Sequence, residues 1–191
     1  MILLIVGVVA FACVHLASAV PRLESHWRTR LGSYYRPVFG LLLLLALAII
    51  IVGWRLSPFV PAYDPPRFGR YVTFLLVLLA FLCLGIFLFR GRLRQMLRFP
   101  LAIAVMLWGT GHLFANGDVA GLILFGGMMI YAAVHIAFGI ANGIRPSHDV
   151  RTGHDVLSIL AGAALCGVMT QLHSVLIGVP IVDLGLPGGS G

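Results

Sequence analysis

The chain has 191 residues, of which 60% are hydrophobic and only 10% charged, and its mean hydropathy is +1.04. This composition lies far outside that of soluble domains and predicts an integral membrane protein in contact with the lipid bilayer. The chain contains thirteen basic residues, all of them arginine, and six acidic residues. Arginines in a membrane chain typically lie in short loops and fix topology, so we set nucleic-acid binding aside.

Six apolar segments follow in chain order, and each must be a helix because unpaired backbone cannot face lipid. A hydrocarbon core of about 30 Å requires roughly 17 to 25 apolar residues, and only the fourth segment is shorter than that. We therefore expect an all-α, polytopic bundle of about six transmembrane helices that forms a single domain over residues 1–186. The closing PGGSG, residues 187–191, is interpreted as a cloning scar. The segments are approximately 2–20, 38–54, 71–89, 101–115, 119–140 and 156–179.

The distribution of arginines between the loops predicts an orientation. Ten arginines fall in the first, third and fifth loops, whereas the second loop holds three and the fourth loop none. The positive-inside rule then places both termini outside, in the periplasm of a bacterial inner membrane. The sequence ASA at 17–19 resembles a signal-peptide cleavage site, but the basic region that should precede it is missing, so the first segment is interpreted as a span.

The three cysteines, Cys13, Cys83 and Cys166, lie in apolar segments and form no Cys-x-x-Cys pair. They are interpreted as small core residues, and covalent attachment of a c-type haem is excluded. Paired acids and bases, Gly-x-Ser-x-Gly elbows and phosphate-binding loops are missing from the sequence too, so nothing favours a hydrolase or a kinase.

Four histidines, His15, His112, His135 and His173, fall inside apolar segments. Ionisable side chains at membrane depth are rare and mark functional sites, although each could instead make one interhelical hydrogen bond worth about 1 kcal/mol. At 1.5 Å per residue, His15 lies about 9 Å and His112 about 18 Å from the inner surface. Their side chains lean toward each other, because the two helices run in opposite directions. His135 is expected at the depth of His15.

The most unusual stretch is MLWGTGHLFANGD, residues 106–118. On a helix, Trp108, His112 and Asn116 share one face, and Gly109 and Gly111 remove bulk beside it. A ligand, an aromatic wall and local space are what a porphyrin requires, although the glycines could equally serve close helix packing.

Other polar residues around these segments have more than one interpretation. Arg22 lies seven residues beyond His15, about 10 Å further along the same helix, and is either a partner for a haem propionate or a topology anchor. Asn116 and Asp118 are expected to satisfy the backbone where the fourth helix ends, with Asp118 as the N-cap of the next helix. Zinc fits less well than haem iron, since no carboxylate lies within a span.

Three blocks of the chain resemble the NnrU family. They are VHLASAVPRLESHWRTRLGSYYRPVFGL near the start, RFPLAIAVMLWGTGHLFANGD followed by LILFGG in the middle, and LHSVLIGVP near the end. The family is associated with bacterial denitrification gene clusters and is related to the plant and cyanobacterial 15-cis-zeta-carotene isomerase. The resemblance implies a polytopic protein that binds haem b through two axial histidines, at His15 and His112 here. Trp108, Arg22 and His135 are the further residues expected to contact the haem.

This chain departs from the family pattern at two positions. Family members commonly have His-Pro where this chain has Phe99-Pro100, and the plant isomerases have a cysteine at the position of Gly109. Three functions therefore stay open: a haem protein with a redox or nitrogen-oxide-linked role and a redox partner or gaseous ligand, a haem-dependent isomerase of a carotenoid-like polyene, and a non-enzymatic membrane subunit.

Overall fold

A computed structural model describes residues 1–178 and 181, and the predicted scar at 187–191 lies outside the described residues. A 3₁₀ turn, Gly32–Tyr34, joins the second and third helices, and a π-helical segment, Leu122–Gly126, leads into the eighth. The helices are α1 (Ile2–Ala19), α2 (Pro21–Leu31), α3 (Tyr35–Arg55), α4 (Gly69–Leu88), α5 (Arg92–Leu97), α6 (Pro100–Leu113), α7 (Val119–Gly121), α8 (Gly127–Ala141) and α9 (His154–Ile177).

The helices confirm the all-α fold predicted from hydropathy. Each of the six apolar segments contains a helix, and no strand occurs in the described part of the chain. Five helical stretches are long and apolar enough to cross a membrane, and α6, with 14 residues, is the shorter apolar helix expected in fourth place. The chain is a multi-pass membrane protein, and its exposed leucines and isoleucines face lipid.

The long helices pack in the spatial order α3, α1, α8, α6, α4 and α9. The pair α1 and α3 forms one side of the bundle, the pair α4 and α9 forms the other, and α6 and α8 lie between them. The side chain of Arg55 at the end of α3 donates from Nη2 to the carbonyl oxygen of Val175 at 2.8 Å, which links α3 to the end of α9.

The contact between α4 and α9 depends on two glycines. A Cβ atom added to Gly85 would overlap the carbonyl oxygen of Ser158, and one added to Gly162 would lie 2.6 Å from the carbonyl oxygen of Phe81. Small residues of this kind let helix backbones approach closely in membranes, where van der Waals packing drives association.

The sequence prediction was wrong about the surroundings of Arg22. It placed Arg22 on the same helix as His15, but α1 ends at Ala19 and Val20 adopts an extended conformation. Pro21 then begins α2, because proline lacks the N–H needed to continue one helix and suits the first position of another. Arg22 is therefore an exposed residue of a separate helix.

The loops with ten arginines meet at one end of the bundle, which we call the basic end. There Asp155 of α9 accepts hydrogen bonds from the backbone N–H groups of Leu93, at 2.9 Å to Oδ1, and Arg92, at 3.2 Å to Oδ2. These are the first N–H groups of α5, which have no partner within their own helix. A carboxylate from a distant helix thus caps α5.

We expect Asp155→Ala to lower the free energy of unfolding by about 1 to 2 kcal/mol, because two N–H groups lose a charged acceptor. Denaturant titration of the detergent-purified protein, followed by circular dichroism, measures this effect. Asp149→Ala, which removes an exposed acid from the preceding loop, is the matched control and should change little. Equal stability of the two variants would contradict the capping role.

Candidate functional site

The bundle holds an aromatic cluster around Tyr131, which is 95% buried and belongs to α8. The ring centroid of His15 lies 5.4 Å from that of Tyr131, 4.6 Å from that of Phe11 and 5.9 Å from that of Phe39. The ring of His135 lies 6.1 Å from the ring of Tyr131 on the other side. We call these five residues the Tyr131 cluster, and it brings together the two histidines that the sequence predicted at one depth.

One fully buried polar atom of the Tyr131 cluster has no hydrogen-bond partner in the described structure. The Nδ1 atom of His135 is fully buried and contacts no donor or acceptor. Buried polar groups are almost always paired, so an orphaned nitrogen of this kind marks a position where a water or ligand belongs.

A second cluster surrounds Phe125 and contains Trp54, Trp108 and His112. The imidazole of His112 stacks on Phe125, with 4.6 Å between ring centroids and 23° between planes. The indole of Trp108 lies 5.1 Å from His112 and 4.9 Å from Phe125, and Trp54 meets the opposite edge of Phe125 at 5.7 Å. Phe125 belongs to the π-helical segment, an arrangement that is often found at functional sites. We call these four residues the Phe125 cluster.

The hydrogen bond of His112 fixes which of its nitrogens is available. Its Nδ1 atom lies 2.8 Å from the carbonyl oxygen of Trp108, one turn earlier on α6. A carbonyl oxygen only accepts, so Nδ1 carries the proton and donates it, and Nε2 keeps its lone pair. This is the arrangement in which histidine usually binds a metal, with the second nitrogen held by a carbonyl or carboxylate.

His173 of α9, for which the sequence predicted no role, lies close enough to His112 to interact with it electrostatically. His15 interacts in the same way with His135. His173 is therefore a neighbour of the Phe125 cluster, and His15 and His135 both contact Tyr131.

The structure does not bring His15 and His112 together. His15 packs on Tyr131 and His112 packs on Phe125. These two aromatic residues are six positions apart on one helical stretch, which corresponds to about 9 Å between their Cα atoms. Two axial ligands must bind one iron from opposite faces. As the helices are arranged, each histidine therefore belongs to a separate cluster.

The two glycines beside His112 serve helix packing. A Cβ atom on Gly109 would lie 2.6 Å from Cγ of Met129 in α8, and one on Gly111 would lie 3.1 Å from Cβ of Leu76 in α4. Of the two uses that the sequence left open for these glycines, the structure shows close approach of helices. Space for a porphyrin does not come from them.

The end of α6 is held by polar groups on the extended loop that follows α3. The hydroxyl of Tyr63 donates to the carbonyl oxygens of Leu113 and Asn116, the latter at 2.8 Å. The side-chain amide of Asn116 donates to the carbonyl oxygen of His112 at 2.9 Å, as expected for a residue that satisfies the helix end. Asp118 occupies the N-cap position of α7, as predicted, but its side chain makes no capping hydrogen bond.

Burial and the nearby carboxylate of Asp118 raise the pKa of the Tyr63 hydroxyl. A group whose pKa is higher in the folded state stabilises the protein at neutral pH and loses that effect only as the pH rises through the folded-state pKa. Tyr63 therefore stays protonated and donates to the end of α6 throughout the neutral range.

We expect Tyr63→Phe to cost about 1 kcal/mol of stability, because two carbonyl oxygens at the end of α6 lose their donor. Denaturant titration in detergent measures the change. Tyr71→Phe is the control, because it makes the same chemical change at another position, where Tyr71 is 81% exposed. An unchanged midpoint for Tyr63→Phe would contradict this role for the hydroxyl.

Sequence reasoning missed Phe125 and Tyr131, although the chain carries a signal for one of them. An aromatic residue precedes three of the intramembrane histidines by four positions: Phe11 before His15, Trp108 before His112 and Tyr131 before His135. Residues four apart on a helix are neighbours, and all three pairs are in ring contact. Phe125 has no such relation in sequence, because it reaches His112 from another helix.

Of the predicted haem ligands, His112 has the surroundings that would suit a haem best. Its Nε2 lone pair is available, Nδ1 is fixed by the helix backbone, and Trp108 and Phe125 provide aromatic walls. The described residues contain no group of three or more His, Cys, Asp or Glu side chains arranged to hold a metal ion. Haem iron is held mainly by the porphyrin and needs at most two protein ligands. The single oriented imidazole of His112 would supply one of them.

Comparison with known proteins gives one match. The NnrU protein family matches residues 3–181, which is nearly the whole chain. No curated protein and no solved structure matches it. The match spans every membrane helix and both histidine clusters, and a chain matched over this length is a member of the family: this protein belongs to the NnrU family.

Proposed function

We propose that this NnrU family protein binds haem b within its helical bundle and carries out a redox or nitrogen-oxide-linked role of the kind associated with denitrification. The observation that supports this most strongly is the imidazole of His112. Its proton is held on Nδ1 by the carbonyl of Trp108, so that Nε2 is presented as a ligand inside a membrane helix.

In this proposal His112 would hold the haem through its Nε2 atom, with Trp108 and Phe125 beside the imidazole. His15 is the second ligand implied by the family resemblance. It packs in the Tyr131 cluster, whereas His112 packs in the Phe125 cluster. His135 would lie beside His15, and Arg22, which is exposed on α2, is given no contact with the haem in this proposal.

When bound, haem b would supply one-electron chemistry and a site for a small gas. The chain contributes the surroundings of that chemistry. The backbone bond to Nδ1 keeps the His112 ring from rotating and raises the basicity of Nε2. The apolar walls of the Phe125 cluster exclude water, which protects a reduced iron from side reactions.

A gas-binding experiment tests the function and the second ligand together. The reduced protein is mixed with nitric oxide, and separately with carbon monoxide, in a stopped-flow spectrometer. We expect both gases to bind, with carbon monoxide binding several-fold faster to His15→Ala because an iron held by two histidines must first lose one of them. Equal carbon monoxide rates for wild type, His15→Ala and the control His26→Ala would remove His15 as a ligand.

The same preparation separates the other functional classes. A cis-polyene of the carotenoid type is incubated with oxidised and with reduced protein, and the products are resolved by chromatography. Isomerisation without nitric oxide binding would replace the nitrogen-oxide role by that of an isomerase. A protein that shows no haem absorption and converts no polyene would instead be a subunit whose histidines hold helices together.

We also propose that the protein lies in a bacterial inner membrane with both termini in the periplasm. The support is the ten-to-three distribution of arginines between the two ends of the bundle. Alkaline phosphatase, which is active only in the periplasm, is expected to be active when fused after residue 186 and inactive when fused within the 90–98 loop. The reverse pattern would contradict this orientation.

A further inference from the structure

The basic end of the bundle contains a cavity of about 420 Å³ between α2 and the start of α3. It is lined by two arginines, Arg28 and Arg36, together with Gly32, Ser33 and Tyr35. The lining thus includes two arginines, a serine and a tyrosine, and none of these lining residues is acidic. This donor set matches a phosphate group, which accepts several hydrogen bonds and carries negative charge.

The guanidinium of Arg28 is oriented by its neighbours. Its Nε atom donates to the carboxylate of Glu24 at 2.8 Å, and its Cζ atom lies 5.2 Å from the centroid of the Tyr35 ring. These contacts fix the plane of the side chain, and the two Nη atoms carry the remaining four N–H donors. Less side-chain entropy is lost on binding when an arginine is already held in this way.

A second cavity at the basic end provides a contrast. It has a volume of about 350 Å³ and includes Arg98 and Arg145 in its lining. Arg98 donates from Nε to the carbonyl oxygen of Ile144 at 2.7 Å and from Nη2 to that of Gly139 at 3.3 Å. Its guanidinium therefore holds the protein's own backbone, which leaves this second cavity with fewer donors for a ligand.

The helix that carries Arg28 is built to lie at a membrane surface. Leu23, Trp27 and Leu31 follow one another at four-residue spacing along one face of α2, and Leu23 and Trp27 are 46% and 48% exposed. Arg22 and Thr29 lie on the opposite face. An exposed apolar face with polar residues behind it is typical of a helix that rests in the interface between headgroups and acyl chains.

The cavity is also placed where a lipid molecule can reach it. It adjoins the first residues of α3, whose Leu41 and Leu44 are exposed apolar side chains one to two turns further into the bilayer. A phosphodiester bound by Arg28 and Arg36 would leave its acyl chains beside these leucines. We propose that this cavity is a binding site for the headgroup of an anionic phospholipid.

Native mass spectrometry of the detergent-purified protein tests this. Phosphatidylglycerol and phosphatidylcholine with identical acyl chains are titrated separately, and the affinity for the first bound lipid is measured. We expect wild type to prefer phosphatidylglycerol, and Arg28→Gln with Arg36→Gln to weaken that binding by at least tenfold, since each arginine near an anionic lipid contributes roughly fivefold.

The matched control is Arg145→Gln with Arg151→Gln, which removes the same charge from another loop of the same end. Its affinity for phosphatidylglycerol should stay within about twofold of wild type. An equal loss in both double variants would overturn the site in favour of general charge attraction. Displacement of the lipid by millimolar inorganic phosphate would overturn the lipid assignment in favour of a soluble anion.

The double variant Arg28→Lys with Arg36→Lys keeps the positive charge at the basic end. It is therefore a further control in which a folding defect is less expected than in the glutamine variant. We expect it to retain the preference for phosphatidylglycerol but to bind less tightly than wild type, since lysine lacks the two-pronged guanidinium geometry. Complete loss of that preference, in a protein whose circular dichroism matches wild type, would contradict a contribution from charge at this cavity.

Discussion

Replacing His112 with alanine is expected to lower haem bound per protein at least tenfold, the largest effect of any single substitution considered. The methyl group of alanine cannot coordinate iron, and His112 is the histidine whose free nitrogen is fixed by a backbone hydrogen bond. Haem content is measured as the pyridine haemochrome of protein purified from cells supplied with a haem precursor.

Three further variants make that result specific. His26→Ala changes a histidine of α2, outside the two clusters, and should leave haem content unchanged. His15→Ala and His173→Ala identify the second ligand, since the variant that lacks it should retain haem but show a five-coordinate spectrum. Full haem content in His112→Ala would show that another residue holds the iron.

Gly162→Leu is expected to lower stability by about 3 kcal/mol or more, because overpacking costs 1 to 3 kcal/mol even where side chains can move and here backbone must move. A Cβ at this position meets the carbonyl oxygen of Phe81 at 2.6 Å and the Cα atom of Leu82 at 2.8 Å, and neither atom can rotate away. The measurement is the thermal unfolding midpoint of the protein in mild detergent.

The same helix supplies the control for this change. Gly167 lies five residues further along α9, and a Cβ atom there would meet nothing within 4 Å. Gly167→Leu should therefore leave the midpoint within a few degrees of wild type. If both substitutions lowered it equally, the loss would come from glycine replacement in α9 in general and not from its contact with α4.

The spans could be predicted from the sequence because lipid imposes a strong requirement on length and hydropathy. Even the short α6 was expected, between Pro100 and the Asn116 turn. The helices at the basic end could not be predicted in the same way. The segment that forms α2 is rich in arginine, and its apolar stripe of Leu23, Trp27 and Leu31 is too narrow to stand out in a hydropathy profile.

In the candidate site, the sequence could predict contacts between residues of the same helix but not contacts between helices. The contact of Trp108 with His112 follows from four-residue spacing, and the structure confirms it. The axial position of one helix relative to its neighbour depends on where small residues allow close contact. Gly109 of α6, for example, packs against Met129 of α8. That register places His15 beside Tyr131 and His112 beside Phe125, and counting residues from the ends of the spans could not reveal it.

The central claim, that this bundle binds haem b, is tested most directly by one visible absorption spectrum. The protein is purified in detergent from cells supplied with a haem precursor and is measured before and after addition of dithionite. We predict a Soret band with the sharpened visible bands of a reduced b-type haem, and a haem content of about one per chain. A colourless protein that is folded by circular dichroism and that takes up no added haemin would contradict the claim.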